Sequence, residues 1–227
     1  LLPLGIFSIV AILVYLDPLL SGSIPESGDI EGMSFPWRSF IYTELVRHHS
    51  LPLWNPYIFC GAPFLANIQA ELFYPPSVLT LFSPSFGITL SIVFHHILLG
   101  GFSTYLLCRS FKISVPGAII GGLIFSFLPG FFRSRIFLGN LVYTQAIPWL
   151  PLILYFFKKA MDTPVGTKAL RYALLTGIII AVQILAGSPI CGFIAHVGLL
   201  SFTLLYLWPL LIARRYSALG KRMVLLV

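Results

Sequence analysis

The sequence predicts an all-α protein: a polytopic bundle of transmembrane helices with a long first extracytoplasmic loop that bears short interfacial helices. Three observations predict it. First, 58% of the 227 residues are hydrophobic and only 9% are charged, whereas a soluble domain carries about 25% charged residues. Second, apolar runs recur at a length near the roughly 20 residues needed to cross a bilayer as helix. They lack the apolar/polar alternation of membrane β-strands. Third, the basic residues lie at the ends of these runs, where topology explains them better than a nucleic-acid-binding face does. The net charge of +7 therefore implies a lipid bilayer as partner and no nucleic acid.

The elements follow in order. A first span covers residues 1–16, read as an uncleaved anchor rather than a signal peptide because further spans follow. A polar and aromatic loop occupies 17–72. Residues 74–82, after the double proline Pro75-Pro76, are too short to cross and suit a re-entrant or interfacial piece. Further spans are expected at 86–108, 115–131, 141–157, 169–187 and 190–212, with another starting near 222. The whole forms one transmembrane domain, residues 1–227. The chain starts at Leu1 without Met and stops in the apolar run Met223–Val227, so it reads as a fragment of a longer protein.

Charge sets the orientation. With the 17–72 loop outside, the inner segments hold Arg109, Lys112, Lys158, Lys159, Lys168, Arg171, Arg214, Arg215, Lys221 and Arg222. Only Arg38, Arg47, Arg133 and Arg135 then lie outside. One topology satisfies the positive-inside rule, with Asp162 the single inner acid. Gly117-x-x-x-Gly121 with Gly122, and Gly100-Gly101, are expected to let helices approach closely.

Within the loop, Ser34-Phe-Pro-Trp reads as a helix start, with Ser34 as cap and Pro36 in the first turn. Trp37, Phe40, Ile41 and Leu45 share one face, so this helix is expected to lie flat on the outer leaflet. Arg38, Glu44 and Arg47 fall largely off that face. Trp54, Tyr57 and Tyr74 suit the interfacial aromatic belt. Asp29, between Gly28 and Gly32, is a candidate general base on a hydroxyl; a solvated turn acid is the alternative. Arg133 and Arg135 oppose the charge bias, which fits bidentate phosphate contact or snorkelling anchors.

Other candidates read as architecture. His48 and His49 are adjacent and suit an interface, not one metal. His95, His96 and His196 fall inside spans, where an ionisable residue is either functional or a neutral hydrogen-bonded core group. Gln145 and Gln183 suit interhelical hydrogen bonds. Cys60, Cys108 and Cys191 show no CxxC spacing and read as small buried hydrophobes rather than a disulfide framework. No P-loop, GxSxG, HExxH or EF-hand motif occurs, which argues against nucleotide hydrolysis.

The order Gly28-Asp29, Pro36-Trp37-Arg38, Leu51-Pro-Leu-Trp-Asn-Pro-Tyr57, Gly61-Ala-Pro63, Asn67-x-Gln69 and Phe73-Tyr-Pro-Pro76 resembles the bacterial YfhO-like membrane proteins. These are similar to the GT-C glycosyltransferases. The resemblance continues through Leu138–Leu141, Pro148–Leu152 and Gln183–Pro189. It implies a GT-C-like fold in the bacterial cytoplasmic (inner) membrane, with the active site in the first extracytoplasmic loop. It also implies sugar transfer from a polyprenyl-phosphate donor to an envelope polymer, lipid or protein acceptor.

Asp29 matches the loop acid that serves as base in such enzymes. The chemistry then assigns the leaving phosphate to Arg38, Arg133 or Arg135. Trp54, Tyr57 and Tyr74 would stack on sugar or prenyl groups. Asn55, Asn67, Gln69 and Glu71, with Asn140, would handle the substrates. No cofactor is required, although a divalent cation between Asp29, Glu31 and Glu71 is compatible. Asn140 and Ser188 stand where the resemblance leads one to expect histidine. Two other readings share the composition: a lipid or polysaccharide flippase or transporter, and a non-catalytic membrane scaffold. A carrier calls for broken helices or intramembrane charges, and the predicted spans contain no acid.

Overall fold

The structure, a computed structural model, describes residues 2–24, 28–127 and 140–212. Arg133, Arg135, the end of the expected 115–131 span and the run starting near 222 lie outside the described residues.

The chain is mostly helical. Helix α1 (Leu2–Val14) is followed after Tyr15 by α2 (Leu16–Ser21). The long segment before Pro84 carries α3 (Phe35–Tyr42), a two-residue hairpin of β1 (Trp54–Asn55) and β2 (Ala62–Pro63), and a 3-10 turn over Pro75–Leu81. One continuous helix then runs from Pro84 to Ser110. It comprises α4 (Pro84–Val93), a π-helical stretch Phe94–Leu99 and α5 (Gly100–Ser110). Helix α6 covers Val115–Phe127, α7 Leu141–Ala146, α8 Trp149–Asp162, α9 Thr167–Leu185 and α10 Pro189–Ile212.

Among the described residues, three helices are long and apolar enough to cross a membrane: Pro84–Ser110, Thr167–Leu185 and Pro189–Trp208. Leu2–Val14 and Val115–Phe127 are apolar but shorter among the described residues. Leu174, Ile178, Phe193, Val197, Leu204 and Trp208 are exposed on α9 and α10. Large outward apolar faces of this kind suit lipid better than water.

The expected 141–157 segment is two helices, not one. Ile147 and Pro148 break it between α7 and α8, because proline lacks the N–H that would continue the ladder.

Small residues set the closest crossing. A Cβ on Gly122 would sit 2.5 Å from the Gly101 carbonyl oxygen and 2.6 Å from Phe7. A Cβ on Gly101 would meet Phe7 at 2.7 Å. Phe7 is fully buried here, in a core with Ile88, Ile92 and Ile97. The expected Gly117–Gly121 seam is thus shifted: Gly121 faces Cys108, and Gly117 meets only Ile113 and Ser114 of its own approach.

Candidate functional site

The segment between α2 and α4 is more protein-packed than the sequence implies. Residues 28–29 are already helical and a π-helical turn over Ile30–Ser34 precedes α3. Ser34 has helical dihedrals and makes no capping bond, so the expected helix start at Ser34 is corrected: the chain is already helical at Gly28. The predicted apolar face exists, but it packs on protein. Trp37, Phe40, Ile41 and Leu45 form a cluster with Phe64, Ala70, Leu72 and Leu81, and the Phe40 and Phe64 rings meet edge-on at 4.9 Å.

The hairpin closes through Gly61, whose φ of +108° places its α-carbon under the Trp54 ring; a Cβ there would lie 2.7 Å from Trp54. Trp54 and Tyr57 remain 57% and 83% exposed, which suits aromatic contact with lipid or sugar. Asn55 is buried, and its side-chain oxygen accepts from the Tyr57 amide at 2.9 Å. Asn67 accepts from the Gln69 amide at 3.1 Å. Both asparagines therefore brace their own turns instead of presenting those oxygens to a substrate.

Three of the predicted residues converge. Asp29 comes from the helix start, Gln69 from the turn after Asn67, and Asn140 from the entry to α7. Together with Trp37 they line a cleft of about 30 Å³, about one water molecule in size. The side chains of Asp29, Gln69 and Asn140 make no hydrogen bond among the described residues. Three polar side chains from three separate elements make this cleft the best-defined candidate site.

Two other predicted residues are drawn away from it. Arg38 is buried and donates to the Ala70 carbonyl and to Glu71 Oε2. The Glu71 carboxylate also accepts from the Ser77 hydroxyl at 3.3 Å. Glu71 sits at φ +54°, ending the 3-10 turn Ile68–Ala70, so this ion pair clamps the turn that carries Gln69. Burial pushes the Glu71 carboxyl up to about 7, with Arg38, Ser77 and Gln145 pulling it back down. As placed, neither Arg38 nor Glu71 reaches solvent, which corrects the expectation of an open phosphate ligand and a sugar-reading acid.

Tyr74 is likewise buried, at 2% exposure, not in an aromatic belt. Its hydroxyl accepts from Trp149 Nε1 at 2.7 Å and donates to His95 Nε2. His95 Nδ1 in turn donates to the Ser91 carbonyl at 2.6 Å, which assigns the tautomer. Gln145 donates to the Ser91 hydroxyl at 2.7 Å. On the opposite flank, His96 accepts from Tyr15 at 2.8 Å and donates to the Ser126 carbonyl. Both histidines are hydrogen-bonded core groups. Gln183 donates to the Ala146 carbonyl at 2.9 Å, an interhelical bond of the expected kind.

The α9–α10 corner closes on the same turn. Gly187, at φ +80°, has its missing Cβ 2.9 Å from the Ile68 carbonyl and 3.1 Å from both Gln69 Cα and Glu71 Cγ. Ser188 is buried, and its hydroxyl accepts from the Cys191 amide at 3.3 Å. Sequence reasoning missed this seat and the Trp149–Tyr74–His95 chain. Gly187-Ser188-Pro189 was a visible signal for a tight corner, but nothing local named its partner.

Among the described residues, no three His, Cys, Asp or Glu side chains lie together so as to hold a metal ion. No family model, curated protein or solved structure matches this chain.

Proposed function

We propose that the protein is an extracytoplasmic membrane glycosyltransferase of the YfhO-like, GT-C type, in the bacterial inner membrane. The observation that carries this reading is the cleft joining Asp29, Gln69 and Asn140. A carboxylate beside two amides, none of them hydrogen-bonded among the described residues, suits a base next to groups that read hydroxyls.

Asp29 takes the proton of an acceptor hydroxyl as its oxygen attacks the anomeric carbon. The bond from that carbon to the donor's phosphate oxygen breaks, and polyprenyl phosphate leaves with the electron pair. Gln69 and Asn140 hold sugar or acceptor hydroxyls. Exposed Trp54 and Tyr57 offer faces for sugar or prenyl groups. Since Arg38 is committed to Glu71, the leaving phosphate falls to Arg133 and Arg135, seven and five residues before Asn140 in sequence. Adding a chelator to the assay described below tests whether a divalent cation takes part.

The test is sugar incorporation from polyprenyl-phosphate sugars in membranes containing the full-length protein, wild type against Asp29→Asn. Loss of incorporation in a variant that inserts normally supports the reading. Equal incorporation in both removes Asp29 as base. Absence of incorporation in either turns the reading toward a flippase or scaffold.

A further inference from the structure

We infer that one side of α9 is a binding site for an anionic phospholipid, with Lys168 and Arg171 holding the headgroup phosphate and Leu175 and Ile178 lying along the acyl chain. This inference rests on the membrane setting and not on the transfer reaction.

The spacing builds the site. Lys168, Arg171, Leu175 and Ile178 recur at helical intervals, so α9 carries them on one side. That side passes from two cations to two apolar residues, the order in which a phospholipid passes from phosphate to chain. The structure bears out both halves. Thr167, Lys168, Arg171, Tyr172 and Leu175 line one hollow of about 460 Å³, the volume of about fifteen water molecules. Beyond it, Leu174 and Ile178 are each 59% exposed, an apolar surface that an acyl chain covers at less cost than water does.

The protein does not neutralise the charge at this hollow. Neither Lys168 nor Arg171 makes an ion pair among the described residues. Asp162 is the last acid in the sequence, and its carboxylate already accepts from Lys158 at 2.5 Å and from the Tyr206 hydroxyl. Two like charges on one helix side repel each other, and an anion between them removes that cost. A phosphodiester fits the donors present. Arg171 offers a planar fork to two phosphate oxygens, Lys168 a compact charge, and the Thr167 and Tyr172 hydroxyls two further donors. The Tyr172 ring is held against Phe156 of α8, with 6.3 Å between ring centroids. A soluble phosphate would satisfy the cations but leave Leu174 and Ile178 uncovered, which favours the lipid.

Cations that only snorkel would bind no better than other basic residues at the same end of the bundle. Arg109 and Lys112 supply that comparison. The Lys158 ammonium lies 4.8 Å from the centroid of the Phe111 ring, so the end of α5 lies beside the end of α8 that leads into α9.

Native mass spectrometry of delipidated full-length protein tests this, with phosphatidylglycerol and phosphatidylcholine titrated separately in detergent. The first phosphatidylglycerol should bind more tightly than phosphatidylcholine. Lys168→Gln combined with Arg171→Gln should weaken phosphatidylglycerol binding about 30-fold, from about fivefold for each basic residue. Arg109→Gln combined with Lys112→Gln removes the same charge and should leave that binding unchanged. Lys168→Arg should retain it. Lys168 and Arg171 are exposed, so these variants remove no core packing, and the comparison of the two lipids on the wild type carries the test if a variant fails to fold. Equal affinity for the two lipids, or equal loss in the two double variants, overturns the site. Displacement of the lipid by glycerol 3-phosphate at matching concentration also overturns it, in favour of a soluble phosphate. No sugar donor is used, so the outcome is separate from that of the transfer assay.

Discussion

Gly187→Ala is the sharpest probe of how the candidate cleft is held. The new methyl would stand 2.9 Å from the Ile68 carbonyl oxygen and 3.1 Å from Gln69 Cα and Glu71 Cγ. Two of these three atoms are backbone, so no rotamer change relieves them. Overpacking of this kind costs about 1–3 kcal/mol. The left-handed φ of +80° adds about 1 kcal/mol for any residue with a Cβ. A loss of about 2–4 kcal/mol follows. Gly177→Ala is the control, because nothing lies within 4 Å of its Cβ position; a helix interior should leave it unchanged or about 1 kcal/mol more stable. The assay is reversible unfolding in mixed micelles, read by tryptophan fluorescence. If Gly187→Ala and Gly177→Ala unfold alike, the corner does not seat on the Ile68–Glu71 turn and the reasoning is refuted.

The remaining predictions concern the buried polar groups and the helix crossing. Arg38→Met should destabilise by about 3–5 kcal/mol because it strands a buried carboxyl, and the double variant with Glu71→Met should recover most of that loss; the same unfolding assay separates them. Burial holds the Glu71 proton to about 7 against an ordinary 4.5, so this group's contribution to stability is complete below about 4.5 and is lost as pH rises to about 7. Glu71→Gln should flatten that slope in unfolding curves taken across the window. Tyr74→Phe removes the acceptor for Trp149 and the donor to His95, and should cost about 1–3 kcal/mol with a shift in Trp149 fluorescence. Gly122→Val should disrupt the contact of α5 with α6 and lower folded yield, whereas Gly117→Ala should be tolerated, as measured by size-exclusion profile in detergent.

What could be read from the sequence was whatever repeats locally. Apolar runs gave helices over Pro84–Ser110, Thr167–Leu185 and Pro189–Ile212 within a few residues, because each run is long and uniformly apolar. The shared face of Trp37, Phe40, Ile41 and Leu45 was also legible from its spacing. Its partner was not: a helix that packs on Phe64 and Ala70 has the same period as one that lies on lipid. Pairing over long separations hid the rest. Arg38 meets Glu71 across 33 residues, Tyr74 meets His95 across 21 and Trp149 across 75. No local pattern distinguishes such a buried tyrosine from an interfacial one. Asp29, Gln69 and Asn140 could each be named as candidates from residue type and motif. Only the fold brings those three into one cleft while it turns Asn55, Asn67, Arg38 and Glu71 to structural tasks.

The central claim is that Asp29 acts as a base beside two substrate-holding amides. Its most direct test is the initial rate of sugar transfer by purified full-length protein over a range of acceptor concentrations, for Asp29→Asn, Gln69→Ala and Asn140→Ala beside wild type. The account predicts that Asp29→Asn lowers kcat about 10²–10⁴-fold with little change in KM. Gln69→Ala and Asn140→Ala should chiefly raise KM. An Asp29→Asn enzyme with wild-type kcat would contradict it.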